Sequence, residues 1–164
     1  MSSPEQLIEV ATNQLGFRSS PNNGTLYGNW YGLNYQPYSG TFISWCFSKI
    51  GAGNLVKVSS EKGFASCNLG YEHFKKNNQM VELKDARQGD LVFFSFFDDS
   101  KRANHVGIVT RVVYLKTMFK RLPVAIETIE ANVTGELNEP DGVHSRTRLL
   151  TNNPFILGIA RPNW

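Results

Sequence analysis

The run His105-Val106-Gly107-Ile108-Val109-Thr110-Arg111-Val112-Val113, followed by Val124-Ala125-Ile126-Glu127-Thr128-Ile129-Glu130-Ala131, decides how the chain is read. Both runs are rich in β-branched residues. A polar segment, residues 98–104 (DDSKRAN), precedes the first, and a turn at Lys120–Pro123 separates the two. They predict two strands. Gly89-Asp90 leads into Leu91-Val92-Phe93-Phe94, whose unbroken apolar run predicts a short buried strand. Two shorter strands are expected near 144–149 and 155–160.

Upstream of these runs the period is helical. Ser3 can cap, Pro4 suits a first turn and Gln6 can reach back as in a capping box; Leu7, Ile8, Ala11 and Leu15 follow at helical spacing until Gly16. A second helix is expected over Ser39–Ile50, with Phe42, Ile43, Trp45, Cys46 and Ile50 as a broad apolar stripe and Gly51 as its stop. A third is expected over about Gly63–Lys76. Residues 19–37 are rich in Gly, Asn, Pro and Tyr and predict a loop. Its aromatics, Tyr27, Trp30, Tyr31 and Tyr35, either pin the loop by packing or form one wall of a substrate groove. Helices first and strands second predict an α+β domain, its N-terminal helices packed on a curved antiparallel sheet.

Length and composition narrow the functional classes. A chain of 164 residues is expected to form a single domain, 1–164. The net charge of +3 permits an anionic polymer as partner, but no basic stripe points to nucleic acid. No apolar run is long enough to span a bilayer, and MSSPEQLIEV has neither the basic nor the apolar part of a secretory signal. Cys46 and Cys67 lack metal-ligand spacing and are expected to be buried free thiols. GxSxG, HExxH, P-loop and GxGxxG motifs are absent from the sequence.

Three places could carry chemistry. His105 opens a strand directly after a polar loop, which sets an imidazole at a sheet end; a structural histidine would look the same. Glu130 and Asn132 stand two positions apart, so in a regular strand they share a face, and either could orient the His105 ring. Glu127 falls on the opposite face. His73 and His144 sit in polar surroundings and read as surface residues. Ser39 reads first as an ordinary helix cap. The same position gives a nucleophile orphan N–H groups and the positive end of the helix dipole. A cysteine there would have a lowered pKa; a serine gains far less and needs full general-base help.

Taken in order, these pieces resemble the CHAP domain (cysteine, histidine-dependent amidohydrolase/peptidase) of phage endolysins and bacterial autolysins. The resemblance runs through Tyr27–Gly32, Gln36–Cys46, Gly89–Phe94, His105–Val109 and Thr128–Asn132, and Gly158–Trp164 is similar to the family's final strand. It implies a papain-like fold and hydrolysis of a peptidoglycan amide, by an endopeptidase or an N-acetylmuramoyl-L-alanine amidase. It puts Ser39 in the nucleophile slot and His105 in that of the general base, with Glu130 and Asn132 orienting the ring. Tyr27, Trp30, Tyr31, Gln36 and Tyr38 are then the expected substrate-binding residues. The Ser39 N–H would hold the oxyanion, with Gln36 as a weak second donor. No cofactor is expected. Some relatives bind calcium in an Asp-rich loop before the nucleophile; asparagines stand there in this chain, so no metal is expected.

Ser39 departs from the family pattern. An engineered cysteine-to-serine change would leave the rest of the site intact, as it is here. A natural serine would make the chain a serine-type hydrolase or a non-catalytic wall-binding module. The expected setting is a monomeric catalytic domain excised from a longer lysin, made in the host cytoplasm, released through a holin-type hole and acting on the cell wall. An injected antibacterial effector is the rival setting.

Overall fold

The computed structural model describes residues 2–96, 101–133 and 141–164, so residues 98–100 of the predicted polar loop lie outside the described residues. Helix α1 spans Pro4–Thr12. Its capping box forms as the sequence predicts: Ser3 Oγ accepts from the Gln6 N–H and Gln6 Oε1 accepts from the Ser3 N–H. The helix ends at Thr12 rather than at Gly16, because Leu7 and Ala11 are buried whereas Leu15 stays exposed and offers the next turn no packing. A second helix, α2 (Leu26–Tyr31), lies inside the stretch predicted as a loop; Thr25 caps it and Gly32, at φ 98°, ends it. Helix α3 spans Ser39–Lys49. Helix α4 spans Cys67–Lys76 and starts later than expected, because Ser66 caps it while Gly63 bridges back to Ser60.

Six strands follow: β1 (Met80–Val81), β2 (Leu91–Phe94), β3 (His105–Lys116), β4 (Arg121–Val133), β5 (Gly142–Leu149) and β6 (Ile156–Ala160). They form one sheet in the order β1-β6-β2-β3-β4-β5, every neighbouring pair antiparallel. The short β1 was not visible in the sequence pattern. The turn between β3 and β4 is Thr117–Lys120, and Pro123 lies inside β4 beside a register shift, where a missing N–H is tolerated. Further shifts fall between Val109 and Arg111 and between Ala131 and Val133; irregularities of this kind bend strands and increase their twist. The architecture is thus α+β, with an antiparallel sheet.

Two apolar clusters hold the layers together. The larger joins the helices to one sheet face through Leu7, Tyr27, Phe42, Phe47, Phe93 and Ile108. The smaller, on Val92, Phe94, Val109, Ile126 and Ile159, covers alternate residues of the same strands. All four residues of β2 are therefore buried. Buried Asp90 fixes the chain end to the sheet: Arg161 donates to it from Nε at 2.8 Å and from Nη2 at 2.9 Å. Among the described residues no helix is long and apolar enough to cross a membrane.

One glycine matters for what the sheet carries. Gly107 pairs with Glu130, and a Cβ at 107 would stand 2.7 Å from Glu130 Cγ. Gly107→Ala is expected to displace that side chain and to cost about 1–3 kcal/mol, read as a lowered urea midpoint at unchanged m-value. An unaltered midpoint would mean that the carboxylate has room to move.

Candidate active site

His105 begins β3, and Glu130 stands opposite Gly107 on β4, so the carboxylate reaches the imidazole diagonally across the space that Gly107 leaves open. Glu130 Oε2 lies 2.8 Å from His105 Nε2. The glutamate is fully buried and its other contacts are all donors. Thr128 Oγ1 donates to Oε1 at 2.6 Å, while Arg148 donates from Nε to Oε1 at 2.9 Å and from Nη2 to Oε2 at 2.6 Å. The Arg148 guanidinium also lies over the rings of Phe94 and Phe96, at 5.1 and 5.3 Å from their centroids. The same two rings flank His105.

Burial alone would raise the Glu130 pKa. The hydrogen bonds and charges of Arg148 and His105 outweigh it and hold the carboxyl at about 2. Glu130 is therefore a carboxylate at neutral pH and can only accept. His105 Nε2 must then carry the proton of that bond, and in the neutral ring Nδ1 is left as the basic nitrogen.

Ser39 is the first residue of α3 and is nearly buried. It borders two cavities. One, of about 420 Å³, is also lined by His105, Asn104, Asn132 and Arg148. The other, of about 390 Å³, is also lined by Leu33, Gln36, Pro37 and Cys67. The residue before the helix, Tyr38, makes no side-chain cap, so its side chain satisfies none of the first-turn N–H groups. The hydroxyl of Ser39 is hydrogen-bonded to the thiol of Cys67 at 3.2 Å; among the described residues its partner is this thiol and not the imidazole. Gly40 allows the approach, since a Cβ there would fall 2.3 Å from the Ala65 carbonyl oxygen. Burial pushes the Cys67 pKa up to about 11, although hydrogen bonds from Ser39 and from the N–H groups of Cys67 and Gly40 act the other way. Cys67 is thus a neutral thiol near pH 7.

Asn132 does not reach the His105 ring. The register shift between Ala131 and Val133, with Asn132 at φ 63°, breaks the alternation that would have kept it on the face of Glu130. Its Oδ1 accepts the Tyr38 N–H at 3.0 Å and its Nδ2 donates to Asp141 Oδ2 at 3.1 Å. The hydroxyls of Tyr38 and Ser19 donate to the same Asp141 oxygen, each at 3.1 Å. Asn132 therefore positions the start of α3.

The expected aromatic wall is also revised. Tyr27 and Tyr38 are fully buried in the main core; Tyr27 packs edge-on against Phe42 and Trp45. Trp30 and Tyr31 are half-buried. The Tyr31 hydroxyl donates to the Gly63 carbonyl oxygen and accepts from Ser60 Oγ, and the Lys62 ammonium lies over the Trp30 ring. Neither is among the residues lining the cavities beside Ser39, whereas exposed Gln36 lines one of them. His144, expected at the surface, is buried opposite Glu130, and His73 is half-buried against Phe74. Cys46 and Cys67 are free and buried, as expected. Sequence reasoning missed Arg148, Thr128, Cys67 and Asp141. For Arg148 the alternation of Arg146-Thr147-Arg148-Leu149 was a usable signal, and for Thr128 so was the step of two to Glu130 on one strand; Cys67 and Asp141 depend on contacts that no local pattern reveals.

Comparison of the chain with protein-family models, with curated proteins and with solved structures returned no match.

Unfolded glutamate titrates near 4.3. The folded Glu130 carboxyl titrates lower, so its contribution is complete above the unfolded value and is lost as the pH falls towards about 2. That contribution is on the order of 3 kcal/mol. Denaturation curves taken between about pH 5 and pH 2 should fall less steeply for Glu130→Gln than for the parent chain. Equal slopes would assign the acid sensitivity to other carboxylates.

Proposed function

We propose that the chain carries a papain-like hydrolytic site whose substrate is an amide bond of bacterial peptidoglycan, in the stem peptide or the cross-bridge. One observation carries the reaction type. An ionised, buried Glu130 holds His105 by Nε2, and the same cavity is bordered by residue 39 at the start of α3. The substrate class rests on the resemblance of the five motifs to CHAP domains.

In this reading a cysteine at position 39 gives up its proton to His105 Nδ1 and becomes a thiolate. The imidazolium formed is stabilised by the Glu130 carboxylate. The thiolate adds to the amide carbonyl, and the N–H of residue 39, at the positive end of α3, receives the oxyanion. His105 then protonates the departing amine and water releases the acyl group. With serine the first step fails: the helix dipole does not ionise a hydroxyl near pH 7, and this one is bonded to Cys67 instead of to the base. Serine at position 39 leaves the chain nearly inactive. That bond also favours a second reading, in which Ser39 is a binding residue and the domain holds wall peptide without cutting it.

Purified peptidoglycan incubated with the chain and with Ser39→Cys separates these readings. The assay needs a reductant, because the new thiol would touch Cys67 and dissolved oxygen can oxidise such a pair to a disulfide. Only the cysteine form should release soluble fragments, with new amino groups. Adding His105→Ala should lower that release by at least about a hundredfold. Equal cutting by the serine form would make this a serine hydrolase, and binding without cutting by either form would support the recognition reading. New reducing sugar ends would mean a glycosidase and would overturn the proposal.

A further inference from the structure

The far end of the long β3–β4 hairpin serves neither the core nor the site. β2 pairs with β3 over His105–Ile108, and β5 pairs with β4 only from Ala125 onwards. The pairs Tyr114–Pro123, Leu115–Leu122 and Lys116–Arg121 therefore belong to a two-stranded finger that, among the described residues, has no third strand beside it. A tight turn closes the finger. The Thr117 N–H donates to the Lys120 carbonyl oxygen at 2.8 Å, and Thr117 Oγ1 donates to the same oxygen at 2.9 Å and accepts from the Lys120 N–H at 3.0 Å. The two residues at its tip are Met118 and Phe119, exposed to 91% and 92%. Glycine, asparagine and aspartate are the usual occupants of such a tip, and turn geometry gives no reason for a methionine and a phenylalanine. Leu115 and Leu122, just behind them, are also exposed.

Charge surrounds this apolar tip with one sign. Lys116, Lys120 and Arg121 flank it, and Arg121 stacks on Tyr114 at 3.8 Å. No acidic residue occurs between Arg111 and Glu127. We propose that the finger docks the protein on an anionic lipid surface, with Met118 and Phe119 entering the acyl boundary and the three cations meeting the headgroups. A stable protein interface needs about 800 Å² from each partner, more than a narrow finger tip presents. A bilayer accepts a narrow wedge, and a cationic collar around apolar side chains matches a layer of anionic headgroups over hydrocarbon. β3 runs from His105 at one end to the finger at the other, about 36 Å at strand rise, so docking would hold the candidate site away from the lipid.

The test is co-sedimentation of the full chain with vesicles of mixed phosphatidylcholine and phosphatidylglycerol, against pure phosphatidylcholine. Binding is expected to the mixed vesicles only and to weaken with added salt. Met118→Ser combined with Phe119→Ser should weaken it at least about tenfold while leaving the melting temperature unchanged. Replacing Lys116, Lys120 and Arg121 together by glutamine should weaken it by a similar factor. No binding to the mixed vesicles, or binding that the double serine variant retains in full, would overturn the proposal. So would a concentration-dependent dimer in sedimentation velocity that the same variant abolishes, since the finger would then belong to a second copy of the chain.

Discussion

A carboxylate without solvent must be surrounded by donors, and Glu130 imposes that condition on the middle of the sheet. Gly107 gives its side chain room, Thr128 supplies a hydroxyl from two residues earlier in β4, and Arg148 closes both oxygens from β5. Phe94 and Phe96 carry the guanidinium on their faces and pack beside the imidazole. Three strands thus converge on one charge. Arg148 neutralises most of that charge within the sheet, so His105 meets a carboxylate already shared with a cation.

The other half of the site is held by a different device. The start of α3 is tied to the far strands by the Tyr38 N–H on Asn132, and by Asn132, Tyr38 and Ser19 on a single oxygen of Asp141. This knot fixes the height of residue 39 relative to β3 without using a capping side chain. Gly40 then lets the segment before α4 close over the helix start, which brings Cys67 to Ser39. A thiol with a pKa near 11 is a poor nucleophile at neutral pH, and its contact with the serine hydroxyl draws that group away from the base.

Much of this was legible in the sequence where regular periodicity holds. The α+β order, the Ser3 capping box and the placing of α3 follow from spacing alone; for His105 the spacing left Glu130, Asn132 and a purely structural role all open. The reasoning failed where periodicity breaks. The step of two from Glu130 to Asn132 presumes a regular strand, and a bulge intervenes. Tyr27 reads as a loop aromatic in a Gly- and Asn-rich stretch because α2, with six residues, is too short to display an apolar period, while Tyr38, just before α3, is buried by tertiary packing. Cys67 and Asp141 join the site through tertiary contacts across long sequence separations, which no local pattern reports. Met118 and Phe119 were passed over because the turn was placed a few residues too late.

The proposed chemistry turns on Glu130 fixing the His105 tautomer and leaving Nδ1 as the basic nitrogen of the ring. Long-range nitrogen–proton correlation spectra of selectively labelled histidine measure this directly at a pH where the ring is neutral. The account predicts a His105 ring protonated at Nε2, with that preference lost in Glu130→Gln. A ring protonated at Nδ1, or a tautomer indifferent to Glu130, would contradict it.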